Sequence, residues 1–422
     1  MRPRTWVLAL AAVFAVLQLA SVTGRDTPDT RNYLSYAFTL RGDSKAEAAA
    51  ATIEHYCASR AATARRNQSV HVLRFHRPDP TPRVMAECRA REWPEVEARL
   101  KAGRTVGLTV PFSSERFMGI FSVRPGYPVF LVPFVTVLGA TWGLWAASVL
   151  IAGAGGVLAF LILRTLSVPV PLALTGQALY YVLPCGTTAM RPMAEGLLMA
   201  LTLAAVWGCA LVLKGRRAGL WLIAGALAAL FTVKHSQALF LGVCLAGAGA
   251  VVAVARWRRG RAPGRGILAI AGVGLAAALA TLLLSKLLGY PSASESVQDL
   301  LADHFTRPDR TRPWPEFLHL QLNFWVEWLR RQALEPLFVT ALAAGAWGAL
   351  RRPVFGIFLI AAAFTGILTQ AGHPDISIWG DRLIVLAWLL PVVGVPLLLE
   401  QVLRGRVPLP VQGHTGRTPV PQ

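Results

Sequence analysis

Long windows free of charge dominate this chain, and a helix needs about 20 apolar residues to cross the hydrocarbon core of a membrane. Such windows run over residues 5–23, 143–163, 168–184, 196–213, 218–233, 236–255, 266–285, 336–350, 353–372 and 383–399. Their pattern predicts an all-α polytopic membrane protein with about ten transmembrane helices. Between the first two windows, residues 24–124 are polar, with Ala/Glu/Arg-rich helical patterning over 45–66 and a β-like alternation over 69–75. That segment reads as a folded α/β insert, not a linker. A second polar stretch, 289–334, carries Phe317, Leu320, Phe324 and Trp328 at helical spacing. An aromatic stripe of this kind suits a helix lying in the headgroup layer.

Lys and Arg in short loops orient the path, because basic residues are retained on the cytoplasmic side. Arg2, Arg4 and Arg164, with the clusters at 214–217, 256–265, 351–352 and 404–406, all fall on one side of a path of about ten helices. This places both termini in the cytoplasm and residues 24–124 outside. The uncharged run 125–163 starts outside and ends inside, so 125–140 reads as an interfacial or re-entrant piece on the outer face. The resulting order is a first transmembrane helix (1–23), an extracytoplasmic domain (24–124), and the re-entrant segment with helices two to seven (125–288). An extracytoplasmic loop with the interfacial helix (289–334), helices eight to ten (335–402) and a cytoplasmic tail (403–422) follow. A cleaved signal is the lesser reading of the first window, since that run is span-length and no small-x-small site follows it.

Composition agrees with a chain whose solvent is partly lipid. Of 422 residues, 54% are hydrophobic and 15% charged, against about 25% charged in soluble domains. The net charge of +20 does not point to nucleic acid, because the arginines sit in short clusters between apolar runs or in the insert and form no amphipathic basic face. Cys185, Cys209 and Cys244 fall in apolar segments, while Cys57 and Cys88 lie in the insert. Those two pair if the insert faces an oxidising compartment, and free thiols are the other reading. The glycine runs at 153–156 and 247–249 lie mid-span with no preceding strand, which fits close helix packing and not a nucleotide loop. No metal-ligand spacing of Cys and His occurs.

Charged residues beside membrane spans are costly and therefore informative. Asp26 and Asp29 follow the first span, and Arg124 precedes the re-entrant piece. Arg191 and Glu195 open the fourth span, Lys234 and His235 separate two spans, and His373, Asp375, Asp381 and Arg382 precede the last. All are expected near the outer surface, where carboxylates and cations together suit a phosphate-bearing lipid and activation of a hydroxyl. Each also has a structural reading: Asp29 as a helix cap, Lys234 snorkelling to headgroups, Glu195 favoured by a helix dipole, and Arg382 as an interface anchor.

The order of these residues resembles the GT-C superfamily of membrane glycosyltransferases, in the manner of dolichyl-phosphate-mannose mannosyltransferases. The resemblance is carried by Asp26-Thr-Pro-Asp29-Thr-Arg-Asn-Tyr33-Leu34-Ser-Tyr-Ala37 after the first span and by Arg124-Pro125-Gly126-Tyr127-Pro128 ahead of Leu138-Gly139. Arg191-Pro-Met-Ala-Glu195, Lys234 and Gly380-Asp381-Arg382-Leu383 continue it. The likeness covers the whole chain in layout. Two departures are the lack of an Asp-Glu pair after the first span and Lys-His where an arginine is frequent.

The resemblance implies transfer of a sugar from a polyprenyl-phosphate-linked donor to a lipid or glycan acceptor hydroxyl on the extracytoplasmic face of the cell membrane, with inversion. It implies Asp29 as general base with Asp26 as runner-up, and Lys234, Arg382, Arg124 and Arg191 on the donor phosphate. Tyr33, Glu195, His235 and Asp381 would complete the substrate-binding set. It fixes no cofactor, since some relatives use a divalent cation and others do not. The alternatives are a transporter or lipid flippase, which usually shows two related halves and midplane charges, and a non-catalytic envelope-assembly protein.

Overall fold

The computed structural model describes residues 2–378, 380 and 382–406, with side chains to position 403. Pro3 opens α1 (Pro3–Gln18), and a 3-10 turn (Leu19–Ser21) ends it. In α2 (Pro28–Arg41), Pro28 pre-sets the first turn, and the Thr27 N–H donates to Thr30 Oγ1 at 2.9 Å. In α3 (Lys45–Ser69) the capping is reciprocal: Ser44 N–H donates to Glu47 Oε2 at 2.9 Å, and Glu47 N–H to Ser44 Oγ at 3.3 Å. It covers the helix expected over 45–66. It packs along α4 (Thr81–Lys101), and the Cys57–Cys88 disulfide joins the two.

The β-like stretch at 69–75 is not a strand, and no strand occurs among the described residues. The insert is therefore helical and not α/β. Residues 70–77 fold as tight turns, with the N–H groups of Arg74 and Phe75 both donating to the His71 carbonyl at 2.9 Å. Alternating β-branched residues make a strand only where a second strand takes up their backbone groups. Here the hairpin of α3 and α4 offers none.

After α5 (Glu115–Ser122) comes the bundle: α6 (Gly126–Thr165), α7 (Val170–Val182), α8 (Pro184–Ala189), α9 (Ala194–Leu213), α10 (Ala218–Trp257) and α11 (Arg265–Leu287). Then follow α12 (Ala293–Leu301), α13 (Pro313–Leu334), α14 (Leu337–Leu350), α15 (Pro353–Gly372), a 3-10 helix (Leu383–Trp388) and α16 (Leu389–Arg406). Among the described residues seven helices are long and apolar enough to cross a membrane, or eight if α13 and α14, bent by 88°, form one broken span. The difference from the expected ten has two sources. α7, with 13 residues, falls short of a full crossing, and the windows 218–233 and 236–255 are the two arms of α10, one long helix by extent that breaks between them at Lys234. On α13, Phe324 and Trp328 face the protein core, so the stripe read from sequence is its inward side.

Both α6 and α10 have 40 residues, about 60 Å if straight, and both are interrupted. In α6 the break is Gly139 at φ 71°, a conformation that favours glycine. The chain turns back there, with Gly143 seated on the backbone of Phe134 and Val135. In α10 the break is Lys234, at φ −161° and ψ 96°. One arm of α10 packs Gly219 on Gly208 of α9, and the other packs Gly242 on Gly274 of α11. Val212, late in α9, lies against both Gly219 and Gly266. The two arms thus return to one end of the bundle, and Lys234 stands at the other, beside Glu195 at the start of α9.

Small residues set the close approaches, as in other membrane bundles. Gly155 and Gly156 lie against the rings of Tyr180 and Tyr181 on α7, and Gly345 and Gly348 of α14 lie on the backbone of α16 around Gly394. A Cβ at Gly348 would fall on the Gly394 carbonyl, whereas one at Gly153 meets nothing. Gly348→Val is therefore expected to destabilise the protein by about 1–3 kcal/mol, the usual range for overpacking, and Gly153→Ala to be near neutral. Thermal unfolding of the purified protein checks both, and equal midpoints for the two variants would contradict the packing described.

Candidate functional site

Local structure places each charged side chain of the site. Pro28 and Thr27 start α2 so that Asp29 stands in its first turn, and Thr27, not Asp29, occupies the cap position. Thr30 Oγ1 donates to the Pro192 carbonyl at 3.0 Å, which ties this turn to the chain just ahead of Glu195 on α9. Arg382 lies immediately before the 3-10 helix at Leu383. Its Nε donates to Glu195 Oε1 at 3.2 Å and its Nη2 to Asp29 Oδ2. Three segments far apart in the chain thus meet on one guanidinium.

Two further cations close the group. Gly126 packs against Thr232 and Val233, which brings Arg124 toward Lys234 at the break in α10. Below that break, Gln237 anchors the helix to α15 by donating to Thr365 Oγ1 at 2.9 Å and accepting from Thr369 Oγ1 at 3.1 Å. Asp29 interacts electrostatically with Arg382, Glu195, Arg124 and Lys234 together. Its burial lifts the carboxyl above the ordinary carboxylate range, while the three cations pull it down. Burial likewise keeps the Tyr33 hydroxyl protonated; it faces Arg124, and the ring meets Tyr127 edge-on at 5.2 Å.

Two carboxylates, Asp29 and Glu195, face three cations, Arg124, Lys234 and Arg382, so the cluster carries one formal positive charge in excess. Several buried polar atoms around it have no hydrogen-bond partner: Glu195 Oε2, Arg124 Nε, Tyr127 OH and His235 Nδ1. Such atoms are uncommon in a folded interior, and gathered in one place they mark where another molecule would sit. A small cavity lies there, with room for about one water, lined by Glu195, Lys234, Thr369 and Arg382 on its polar side and by Leu198, Leu383 and Leu386 on its apolar side. An anion attached to a hydrocarbon chain has the chemistry that this lining accepts.

The other residues named from sequence lie as follows. Asp26 is turned away from the cluster, accepting from Ser59 Oγ and bonding His55 Nε2 at 3.2 Å, beside a separate small cavity. Arg191 lies partly buried in the turn between α8 and α9. His235 follows Lys234 and packs its ring 5.2 Å from that of Tyr290. Asp381 lies outside the described residues. Among the described residues no group of three His, Cys, Asp or Glu side chains is placed to hold a metal ion.

Sequence reasoning missed the cover of this end. Arg116 on α5 bonds Glu295 at 2.6 Å and Asp309 at 2.7 Å, holding the loop after α11 over the cluster. In that loop Asp303, His304 and Phe305 all adopt positive φ. A hydrogen bond to Asp299 at 3.1 Å holds His304 above its ordinary value, whereas burial pulls His373 down to about 4. The separation of 179 residues between Arg116 and Glu295 left no local signal.

Comparison with protein families, with curated proteins and with solved structures returned no match.

Removing one member of a buried ion pair usually costs about 3–5 kcal/mol, because the partner stays charged and unpaired. Arg382→Ala leaves the buried Glu195 and the partly buried Asp29 without their shared partner and is expected to lower the thermal midpoint more than Asp29→Asn, which leaves the Arg382–Glu195 contact in place. Adding Asp29→Asn and Glu195→Gln to Arg382→Ala is expected to restore part of the loss. A triple variant no more stable than Arg382→Ala alone would contradict the pairing.

Proposed function

We propose that this chain is a GT-C-like membrane glycosyltransferase that moves a sugar from a polyprenyl-phosphate-linked donor to an acceptor hydroxyl. The observation that carries the reading is the convergence of Asp29, Glu195, Arg124, Lys234 and Arg382 from five segments on one end of the bundle, where Glu195, Lys234 and Arg382 line a small cavity with an aliphatic wall. A lipid-linked donor approaches such a cavity within the membrane plane, its phosphate drawn by the excess positive charge. The Cys57–Cys88 disulfide supports an oxidising surrounding for the insert and hence an extracytoplasmic site.

In this reading Asp29 takes the proton of the acceptor hydroxyl as its oxygen attacks the anomeric carbon from the face opposite the phosphate. The C–O bond to phosphate breaks, the polyprenyl phosphate departs with the electron pair, and the anomeric centre inverts. A phosphate leaves without a proton, so a single base suffices. Lys234 and Arg124 steady the departing charge. Arg382, engaged by both carboxylates, serves as the positioning residue of the base, which revises its sequence-based assignment to the phosphate. Asp26, bonded to Ser59 and His55, is the weaker choice of base.

The breaks in α6 and α10 favour a second reading, since interrupted spans are also a feature of transporters. One experiment separates the two. Membranes containing the protein are expected to transfer labelled sugar from a polyprenyl-phosphate donor, drawn from a panel of such donors. Asp29→Asn is expected to reduce transfer by about 10²-fold or more, the scale of general-base catalysis, at unchanged protein abundance. Equal rates would remove Asp29 as base. Inactivity with every donor, together with substrate movement across proteoliposomes, would favour a transporter.

A further inference from the structure

We propose that the turn-rich loop joining α3 to α4 is a membrane anchor that inserts its apolar tip among anionic lipid headgroups. Val70, Val72, Leu73 and Phe75 are 81%, 82%, 72% and 63% exposed. Single exposed apolar residues are ordinary, whereas four within six positions of one tight loop mark a surface that another phase or molecule covers. The loop is not a slack segment. His71 accepts three of its own N–H groups, from Leu73 on the ring nitrogen Nδ1 at 3.1 Å and from Arg74 and Phe75 on the carbonyl. Gln68 Nε2 closes the base by donating to the carbonyls of Arg77 and Pro78 at 3.0 and 2.9 Å. A tip whose backbone groups are largely satisfied internally loses little on leaving water.

Placement and charge point to lipid as the occupant. Ser59 accepts from the Gly24 N–H at 2.9 Å, and Arg66 donates to the Thr23 carbonyl at 2.8 Å, so α3 lies against the chain just beyond α1. His55, further back on α3, reaches Thr141 at the start of the second arm of α6. Trp145, one turn further along that arm, donates to the Gln18 carbonyl, which sets the ends of α1 and this arm level. α3 therefore crosses the end of the bundle, and the loop begins four residues after Arg66, beside α1. That helix is long and apolar enough to cross a membrane, and only 11% of its window is buried, so its flank is available to lipid. From His55 to Pro78 the sequence has five arginines and no Asp or Glu. Exposed Arg74 and Arg77 interleave with the apolar tip, the mixture that binds an anionic membrane surface.

The test uses the full chain with Cys244→Ala and Leu73→Cys, carrying a nitroxide at position 73. The labelled protein goes into nanodiscs of phosphatidylcholine alone or mixed with phosphatidylglycerol. Collisions with oxygen, which concentrates in lipid, are expected to exceed those with a water-soluble nickel chelate, more so with phosphatidylglycerol. Adding Arg74→Glu and Arg77→Glu is expected to shift the balance toward nickel in the mixed discs. Nickel access that dominates in both discs would overturn the anchor and leave the tip to a protein partner or a second copy. A balance unaffected by the two glutamates would overturn the role of charge. The tip holds no member of the Asp29 cluster, so either result is independent of transferase activity.

Discussion

A guanidinium gripped by the buried Glu195 and the partly buried Asp29 is the interaction on which this architecture depends. Arg382 reaches Asp29 across a sequence separation of 353 residues and Glu195 across 187. A buried charge is costly unless paired and hydrogen-bonded, so these three residues satisfy one another or none is tolerated. Their pairing draws together the first helix after α1, the mouth of α9 and the approach to the last span. The bundle end is closed by electrostatics where its shaft is closed by glycine contacts.

The same pairing leaves a remainder. Arg124 and Lys234 share the site, yet Arg382 already answers both carboxylates. The excess positive charge and the orphaned Arg124 Nε favour an anion at this end of the bundle, while the orphaned Glu195 Oε2 calls for a hydrogen-bond donor such as a hydroxyl. Helix breaks supply the geometry: an unbroken α10 would carry its second arm past the end of the bundle, and the reversal at Gly139 holds the first arm of α6 at the level where Arg124 enters. Opposite charges gather where binding is proposed, while close approaches along the shaft are made by small residues.

Much of this was legible in the sequence, for a physical reason. Hydrocarbon tolerates so few charges that those beside a span stand out, and Asp29, Arg124, Glu195, Lys234 and Arg382 were all named on that ground before any geometry was known. The apolar windows likewise fall on every helix long and apolar enough to cross a membrane, whereas α4 in the polar insert left no such signal. What remained hidden was pairing across distance. Asp26 and Asp29 are alike in sequence, and only the fold shows the first engaged by His55 and Ser59 and the second by Arg382. The alternation at 69–75 looked like a strand because periodicity does not reveal whether a partner strand exists. The short α7 was overcounted because apolarity continues through the turns that bound it.

The central claim is that this cluster binds a lipid-borne phosphate, and native mass spectrometry of the purified protein tests it most directly. The account predicts a bound polyprenyl phosphate or its sugar conjugate on the wild-type chain, lost from the Arg124→Gln, Lys234→Gln double variant while the fold persists. A wild-type protein that carries no such lipid and takes up none when a polyprenyl phosphate is added would contradict it.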